Sequence, residues 1–310
     1  MNKQVLPPLL AVVGQTAVGK SALALSLTEV FEGEIVTADS RQVYKYMDVG
    51  TDKPSIGDRQ RVAHHLIDLV EPDVAFTLAD YQALAYNVIA GVTGRGGLPI
   101  LAGGTPLYAN AVLEGWTIPQ VEPDMELRAE LEAEAEQTNP NLLHARLAEL
   151  DPQAASTILP SNTRRIVRAL EVITRTGKPI SAQQGRTAPP YRILRLGLAC
   201  DRTELYRRID ARVDLQIERG LVDEVRSLHD RGYAFDLRSM SGIGYRQIGA
   251  YLQGTATLEE AIQRIKWDTH SFARHQANWF QRAVDTVWLD ATDNDRLEKA
   301  VDIVKSWLKQ

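Results

Sequence analysis

"AVVGQTAVGKSALALSL", residues 11–27, decides the fold. It runs from an apolar strand through a loop into a helix with apolar periodicity. The loop fits G-x-x-x-x-G-K-[ST], with Gly14, Gly19, Lys20 and Ser21 at the fixed positions and Thr16, Ala17 and Val18 between them. Glycines let the backbone curl until successive N–H groups converge, and the helix N-terminus adds positive potential. Lys20 then supplies a point charge and Ser21 a hydroxyl able to hold Mg²⁺. A glycine turn before an ordinary helix accounts for less of this pattern, so the stretch is read as a phosphate site. The molecule carrying the phosphates is left open.

The chain has 310 residues, 44% of them apolar, enough for one large core plus an insertion or a small second domain. Cys200 is its single cysteine, which excludes an intrachain disulfide and a cysteine-built zinc site and suits a reducing cytoplasm. The six histidines show no H-E-x-x-H spacing. The N-terminal apolar run is interrupted by Pro7 and Pro8 and ends in the phosphate loop, so no targeting segment or membrane span is expected. A net charge of −5 argues against indiscriminate nucleic-acid coating. Charge is nevertheless uneven: "VEPDMELRAELEAEAEQ" (121–137) is acidic, while "NTRRIVRALEVITRTGK" (162–178) carries five basic side chains against Glu171.

Short apolar segments recur between helical patterns: "LLAVV", "GEIVTAD", "HHLIDLV", "LPILAGG", then "RILRLGLAC" and "DTVWLD". This alternation predicts an α/β fold, a P-loop NTPase-like core with a mostly parallel sheet. Strand patterns vanish between 122 and 190, where Asp151 before Pro152 and Asn162 or Thr163 read as helix starts and Gly177 as a stop. An all-helical insertion over 122–190 therefore interrupts a core made of 1–121 and 191–310. The last long helix opens with a Thr257-x-x-Glu260 capping box.

Several stretches are candidates for chemistry. "TADSRQVY" places Asp39 and Ser40 at the end of a parallel strand, where open α/β sheets bind ligands; a helix cap is the plainer reading. Asp39 is a candidate base or metal ligand. In "LAGGTPLY", Thr105 and Pro106 start a helix, and Gly103-Gly104 suggests close backbone approach to something. A nucleoside-triphosphatase strand usually ends in Asp, but "LPILAGG" ends in glycine, leaving only Asp68 for that part. "SGIGYRQIGAYL" offers Tyr245, Arg246 and Gln247 on a glycine-flexed loop, either a kit for gripping a splayed base or a connector whose Tyr covers the core. Trp279 and Phe280 read as core, and Arg207 and Arg208 as a solvated helix face.

With these residues in hand, the chain resembles the bacterial tRNA dimethylallyltransferases. The resemblance runs through "GQTAVGKS", "ADSRQVYKYMDVGTDKP", "GGTPLY", "NTRRIVRALEV", "GIGYRQ" and "NWFQR", nearly the whole length. It implies that the phosphate loop, from Gly14 through Thr16, Ala17, Val18, Gly19 and Lys20 to Ser21, binds the diphosphate of dimethylallyl diphosphate, with Mg²⁺ at Ser21. It implies transfer of the dimethylallyl group to the exocyclic amine of the adenine 3′ to the anticodon. In that likeness Asp39 is the base, Thr105 lies by the reacting adenine, and Arg208 steadies the leaving group. Contacts to tRNA fall to Asp39, Ser40, Arg41, Gln42 and Thr105, and to Arg128. Others are Arg164, Arg165, Ile166, Val167 and Arg168, and the segment Ser241, Gly242, Ile243, Gly244, Tyr245 and Arg246. The partner is the anticodon stem-loop, and the family implies a cytoplasmic monomer with no membrane partner.

Some positions depart from the family pattern. Gln15 and Val18 stand where Pro and Ser are common, and His275 where Arg is usual. Two other functions use the same parts: an adenylate isopentenyltransferase acting on free AMP or ATP, and a P-loop small-molecule kinase with Asp39 or Asp68 as base or metal ligand. An arginine-bearing arm is superfluous for a small acceptor.

Overall fold

The computed structural model describes residues 6–137, 140–283 and 285–310. In chain order the first part holds β1 (Pro8–Gly14), α1 (Lys20–Phe31), β2 (Glu34–Thr37), α2 (Ile56–Arg61), β3 (His64–His65), α3 (Leu78–Gly94), β4 (Pro99–Gly103) and α4 (Pro106–Leu113). Then come β5 (Trp116–Thr117), α5 (Met125–Gln137), α6 (Pro140–Leu150), α7 (Pro152–Thr157), α8 (Thr163–Thr176), α9 (Ile180–Gln183) and β6 (Gly185–Arg186). The last part holds β7 (Arg192–Ala199), α10 (Arg202–Glu218), α11 (Leu221–Asp230), α12 (Tyr245–Leu252), α13 (Leu258–Phe280), β8 (Thr286–Asp290) and α14 (Arg296–Leu308).

Two compact units result, Met1–Leu113 with Pro190–Gln310, and Glu114–Pro189. The first is built on a six-stranded sheet in the order β3-β2-β4-β1-β7-β8, every pair parallel. Residues 9–14 are all buried because β1 is central, flanked by β4 and β7. A strand covered on both faces reads as an unbroken apolar run, which is why "LLAVV" shows no alternation. The chain goes to one side of β1 for β2 to β4 and to the other for β7 and β8. Ligands of open sheets sit at such a reversal, beyond the strands' C-terminal ends.

The second unit has its own core, centred on Leu143, Leu147, Ile166 and Leu170. Asp151 caps α7 by accepting from the Ala154 N–H, Asn162 caps α8, and Gly177 ends α8 with φ 67°. The unit is not wholly helical: β5 and β6 pair as a two-stranded antiparallel ribbon. Its start at Glu114 rather than at 122 follows from that ribbon, whose two-residue strands leave no periodic signal. Among the described residues no helix is long and apolar enough to cross a membrane.

Candidate active site

The phosphate loop has the backbone its sequence asks for. Gly14 and Gly19 lie at φ 144° and 100°, and Ala17 also takes a left-handed φ of 61°. Lys20 Nζ donates to the Gln15 carbonyl at 2.6 Å, folding the side chain back over the loop. Burial, then the nearby Arg212 charge, pulls the Lys20 ammonium down to about 7, while Asp39 pulls the other way. A half-buried cation at the mouth of an N–H nest is a receptor for an anion.

Across from it, the end of β2 and the β4–α4 turn form one piece. The Thr105 N–H donates to the Ala38 carbonyl at 3.1 Å, and Thr105 Oγ1 accepts from the Ser40 N–H at 3.0 Å. Both neighbours of Asp39 are thus tied to Thr105. Asp39 Oδ1 accepts from the Arg41 N–H at 2.8 Å, and no described residue donates to Oδ2. One oxygen aims the carboxylate and the other is left to take a proton. No helix follows, so the cap reading of Asp39 and Ser40 does not apply. The approach signalled by Gly103-Gly104 is to protein: a Cβ on Gly103 would strike Ala38 backbone, and one on Gly104 would sit 2.8 Å from Gln276 Nε2.

On the other side of the phosphate loop lies a cavity of about 520 Å³ lined by Val18, Gly19, Glu204, Arg208 and Thr292 among others. Arg208 Nε is held by Glu204 at 2.6 Å, and neither Nη bonds a described residue. Arg207 and then Arg208 hold the Glu204 carboxylate down at about 2. Arg208 is therefore aimed through one edge of its guanidinium and open at the other.

Two residues that sequence reading missed complete the site. Arg212 donates to Thr16 Oγ1 at 2.9 Å and pairs with Asp52 at 3.0 Å. Gln276, on α13, accepts from the Thr16 N–H at 2.7 Å. The signal for Arg212 was its place one helical turn after Arg208; for Gln276 there was none.

Other expected contacts turn out to be framework. Arg41 spends its guanidinium on the carbonyls of Arg238 and Ser239, at 2.7 and 3.1 Å, and on Ser241 Oγ. It shapes the 238–242 loop, where a Cβ on Gly242 would lie 3.4 Å from Arg41 Nε. Gln42 donates to the Thr51 carbonyl at 3.0 Å. Tyr245 is only 1% exposed, its hydroxyl on Glu224 at 2.6 Å, so the ring fills the core and is no platform for a base. Ile243 packs against the same core, Gly244 precedes α12 at φ 95°, and Arg246 pairs with Asp268. Glu224 also accepts the N–H groups of Asp48, Val49 and Gly50, which fixes the "MDVGTDKP" turn.

In the helical unit, Ile166 and Val167 are buried and face its core, so their side chains are not available to RNA. Arg128 is bidentate on Glu171 at 2.7 and 2.8 Å, and Arg168 meets the same carboxylate at 2.5 Å. These two arginines are first of all partners of a buried acid. Arg164 and Arg165 are exposed at the start of α8. Asp68, the alternative metal ligand, is engaged by Lys53 at 2.5 Å and Arg59 at 2.8 Å. Phe280 is buried as expected, and Trp279 lies half-buried near Arg282.

No group of three or more His, Cys, Asp or Glu side chains gathers among the described residues. The donors suited to Mg²⁺ at the phosphate loop are thus the exposed Ser21 hydroxyl and whatever oxygens a bound phosphate brings, a set this hard, water-retaining ion accepts.

Comparison with known proteins agrees with this site. Residues 42–283 match the IPP transferase family. The tRNA dimethylallyltransferase of Roseiflexus castenholzii is 54% identical over 298 residues, covering 96% of this chain and 97% of that protein. That of Thermomicrobium roseum is 49% identical over 310 residues, covering 100% and 94%. Among solved structures, the full-length tRNA isopentenylpyrophosphate transferase of Bacillus halodurans superposes with a TM-score of 0.73 at 39% identity, covering 97% of each chain. A eukaryotic dimethylallyltransferase captured acting on tRNA gives 0.84 at 27% identity, covering 98% of this chain and 80% of its own. A phosphate cradle facing an aimed carboxylate, on a chain matched along nearly its whole length, leads to one conclusion: this protein belongs to the IPP transferase family.

Proposed function

We propose that the chain is a tRNA dimethylallyltransferase, moving the dimethylallyl group of dimethylallyl diphosphate to the exocyclic amine of the adenine 3′ to the anticodon and releasing pyrophosphate. The observation that carries this reading is the pairing of a P-loop with Asp39 and Thr105 across it, in a chain about half identical to enzymes of that name. The kinase alternative loses Asp68, which is held in two ion pairs. The adenylate-type alternative leaves the helical unit without a task.

The chemistry follows from the residues. An adenine amine is a weak nucleophile because its lone pair is delocalised. As its nitrogen bonds to the allylic carbon, the carbon–oxygen bond to diphosphate breaks and the amine proton goes to Asp39 Oδ2. General-base help of this kind contributes about 10²–10⁴-fold. The departing pyrophosphate gathers charge, met by loop N–H groups, Lys20 and Arg208; one such donor is worth about 10²–10³-fold. A neighbouring diphosphate stabilises the ammonium form of Lys20, which burial alone disfavours. Mg²⁺, held by Ser21 and the diphosphate, would supply further neutralisation of that charge.

Reaching a stacked adenine requires flipping it out of the anticodon loop. Arg164 and Arg165 on α8, and the exposed Ser241 and Arg246 of the first unit, are the proposed grips on the RNA, each within its own unit. We assign the enzyme to the cytoplasm as a monomer, by family likeness. The test is to incubate the protein with Mg²⁺, dimethylallyl diphosphate and either unmodified tRNA or AMP, then weigh the products. One dimethylallyl unit added to tRNA and none to AMP is expected; prenylated AMP, or phosphoryl transfer from ATP, would overturn the reading.

A further inference from the structure

We propose that Gln276 is a positioning residue that couples the diphosphate subsite to the adenine subsite, so that either ligand strengthens binding of the other. This rests on the function proposed above. Gln276 is 1% exposed, and its amide bonds both the phosphate loop and the β4–α4 turn. Oε1 accepts from the Thr16 N–H in the phosphate loop at 2.7 Å, and Nε2 donates to the Gly104 carbonyl at 2.5 Å.

From Gly104 the path continues without a gap. Thr105, the next residue, donates to the Ala38 carbonyl and accepts from the Ser40 N–H, bracketing Asp39. Diphosphate cradle, amide, turn and base are therefore joined inside one unit by hydrogen bonds and the peptide links between neighbouring residues. The polarity of the link is fixed: a donor faces Oε1 and an acceptor faces Nε2, so the amide has one satisfied orientation. The packing leaves it no slack, since a Cβ on Gly104 would lie 2.8 Å from Nε2 and 3.5 Å from Lys20 Nζ.

A second tether runs alongside. Gln15 Nε2 donates to the Ala273 carbonyl at 3.0 Å, so two consecutive loop residues are fastened to adjoining positions of α13. The loop is thus set from α13, which also holds the β4–α4 turn. Ligand-driven adjustment of the loop must then either move that turn or leave a buried amide unpaired, which is costly. Both ligands thus bias the same element, the condition for reciprocal coupling.

The experiment is a set of anisotropy titrations of a fluorescent anticodon stem-loop RNA, with and without saturating inorganic pyrophosphate and Mg²⁺. It compares wild type, Gln276→Leu and Gln276→Glu. Coupling in wild type is expected to tighten RNA binding about 5- to 20-fold, falling to under about 2-fold in both variants. Gln276→Glu keeps an acceptor for Thr16 and loses the donor to Gly104, so it breaks the link at one end with the shape retained. In turnover, KM for each substrate should rise in Gln276→Glu while kcat at saturation changes less. Coupling that survives in a folded variant, or is absent from wild type that binds both ligands, overturns the proposal. Failure of wild type to bind either ligand alone would instead overturn the function on which it rests.

Discussion

Replacing Glu171 by Gln should unlock the helical unit. The Glu171 side chain is fully buried and takes four donors: Arg128 Nε and Nη2, Arg168 Nη1 and the Asp124 N–H, at 2.5–2.8 Å. An amide offers one acceptor oxygen in place of two and turns its NH₂ toward guanidinium groups that cannot accept. Breaking a buried ion pair by removing one partner costs about 3–5 kcal/mol. Arg128 and Arg168 keep 21% and 31% of their side-chain surface in solvent and can recover some hydration, which lowers the expectation to about 2–4 kcal/mol. With a urea slope of about 2 kcal/mol/M, the unfolding midpoint should fall by roughly 1–2 M. The pH dependence gives a second signature. Burial alone would raise the Glu171 carboxyl, but hydrogen bonds from Arg128 and Arg168 outweigh it and hold it below its ordinary 4.5. The unfolded chain binds the proton first, so this stability is present above pH 4.5 and is lost as pH falls through the lower folded value. Wild type should lose more stability than Glu171→Gln on acidification below pH 4.5. A midpoint unchanged within about 0.2 M, or identical acid profiles, would refute the idea that this carboxylate organises the unit.

Other variants separate chemistry from framework. Arg165→Ala should lower the slope of log affinity for tRNA against log salt by about 0.7–1 and leave melting nearly unchanged, whereas an unaltered slope would remove it from the RNA interface. Asp68→Asn should cost about 1–3 kcal/mol of stability, because Lys53 is buried beneath it, yet leave prenyl transfer within about twofold. A collapse of turnover in a folded Asp68→Asn would restore the metal-ligand reading. Tyr245→Phe removes the hydroxyl on Glu224 and should cost about 1–2 kcal/mol by calorimetry with RNA affinity unchanged; weakened RNA binding without loss of stability would contradict its core placement.

What was legible in the sequence was whatever is local. Each apolar segment named from the sequence contains a strand of the parallel sheet, and in the central strands β1, β2 and β4 burial on both faces writes itself as an uninterrupted run. Asp151, Asn162, Gly177 and Thr257 announced their helix ends because capping is a contact over a few residues. The phosphate loop was legible for the same reason. What stayed hidden depends on distant partners. Gln276 meets Thr16 across 260 positions, and Arg212 meets it across 196. Arg128 looked out of place among acidic neighbours, and its true partner lies 43 positions away on α8. Tyr245 has the composition of a recognition loop, but Glu224 and the Gly50 turn draw its ring inward. Two-residue strands such as β5 and β6 carry no period to detect.

The claim at the centre is that the Asp39 carboxylate, aimed by the Arg41 N–H and bracketed by Thr105, removes the proton as the carbon–nitrogen bond forms. Single-turnover prenylation of an anticodon stem-loop by wild type and Asp39→Asn, with RNA affinity measured on the same samples, tests it most directly. Asn keeps the shape and the oxygen that the Arg41 N–H binds, and has no proton acceptor to offer. The transfer rate is expected to fall about 10²–10⁴-fold with RNA affinity held within about threefold. An Asp39→Asn enzyme that transfers at the wild-type rate would contradict it.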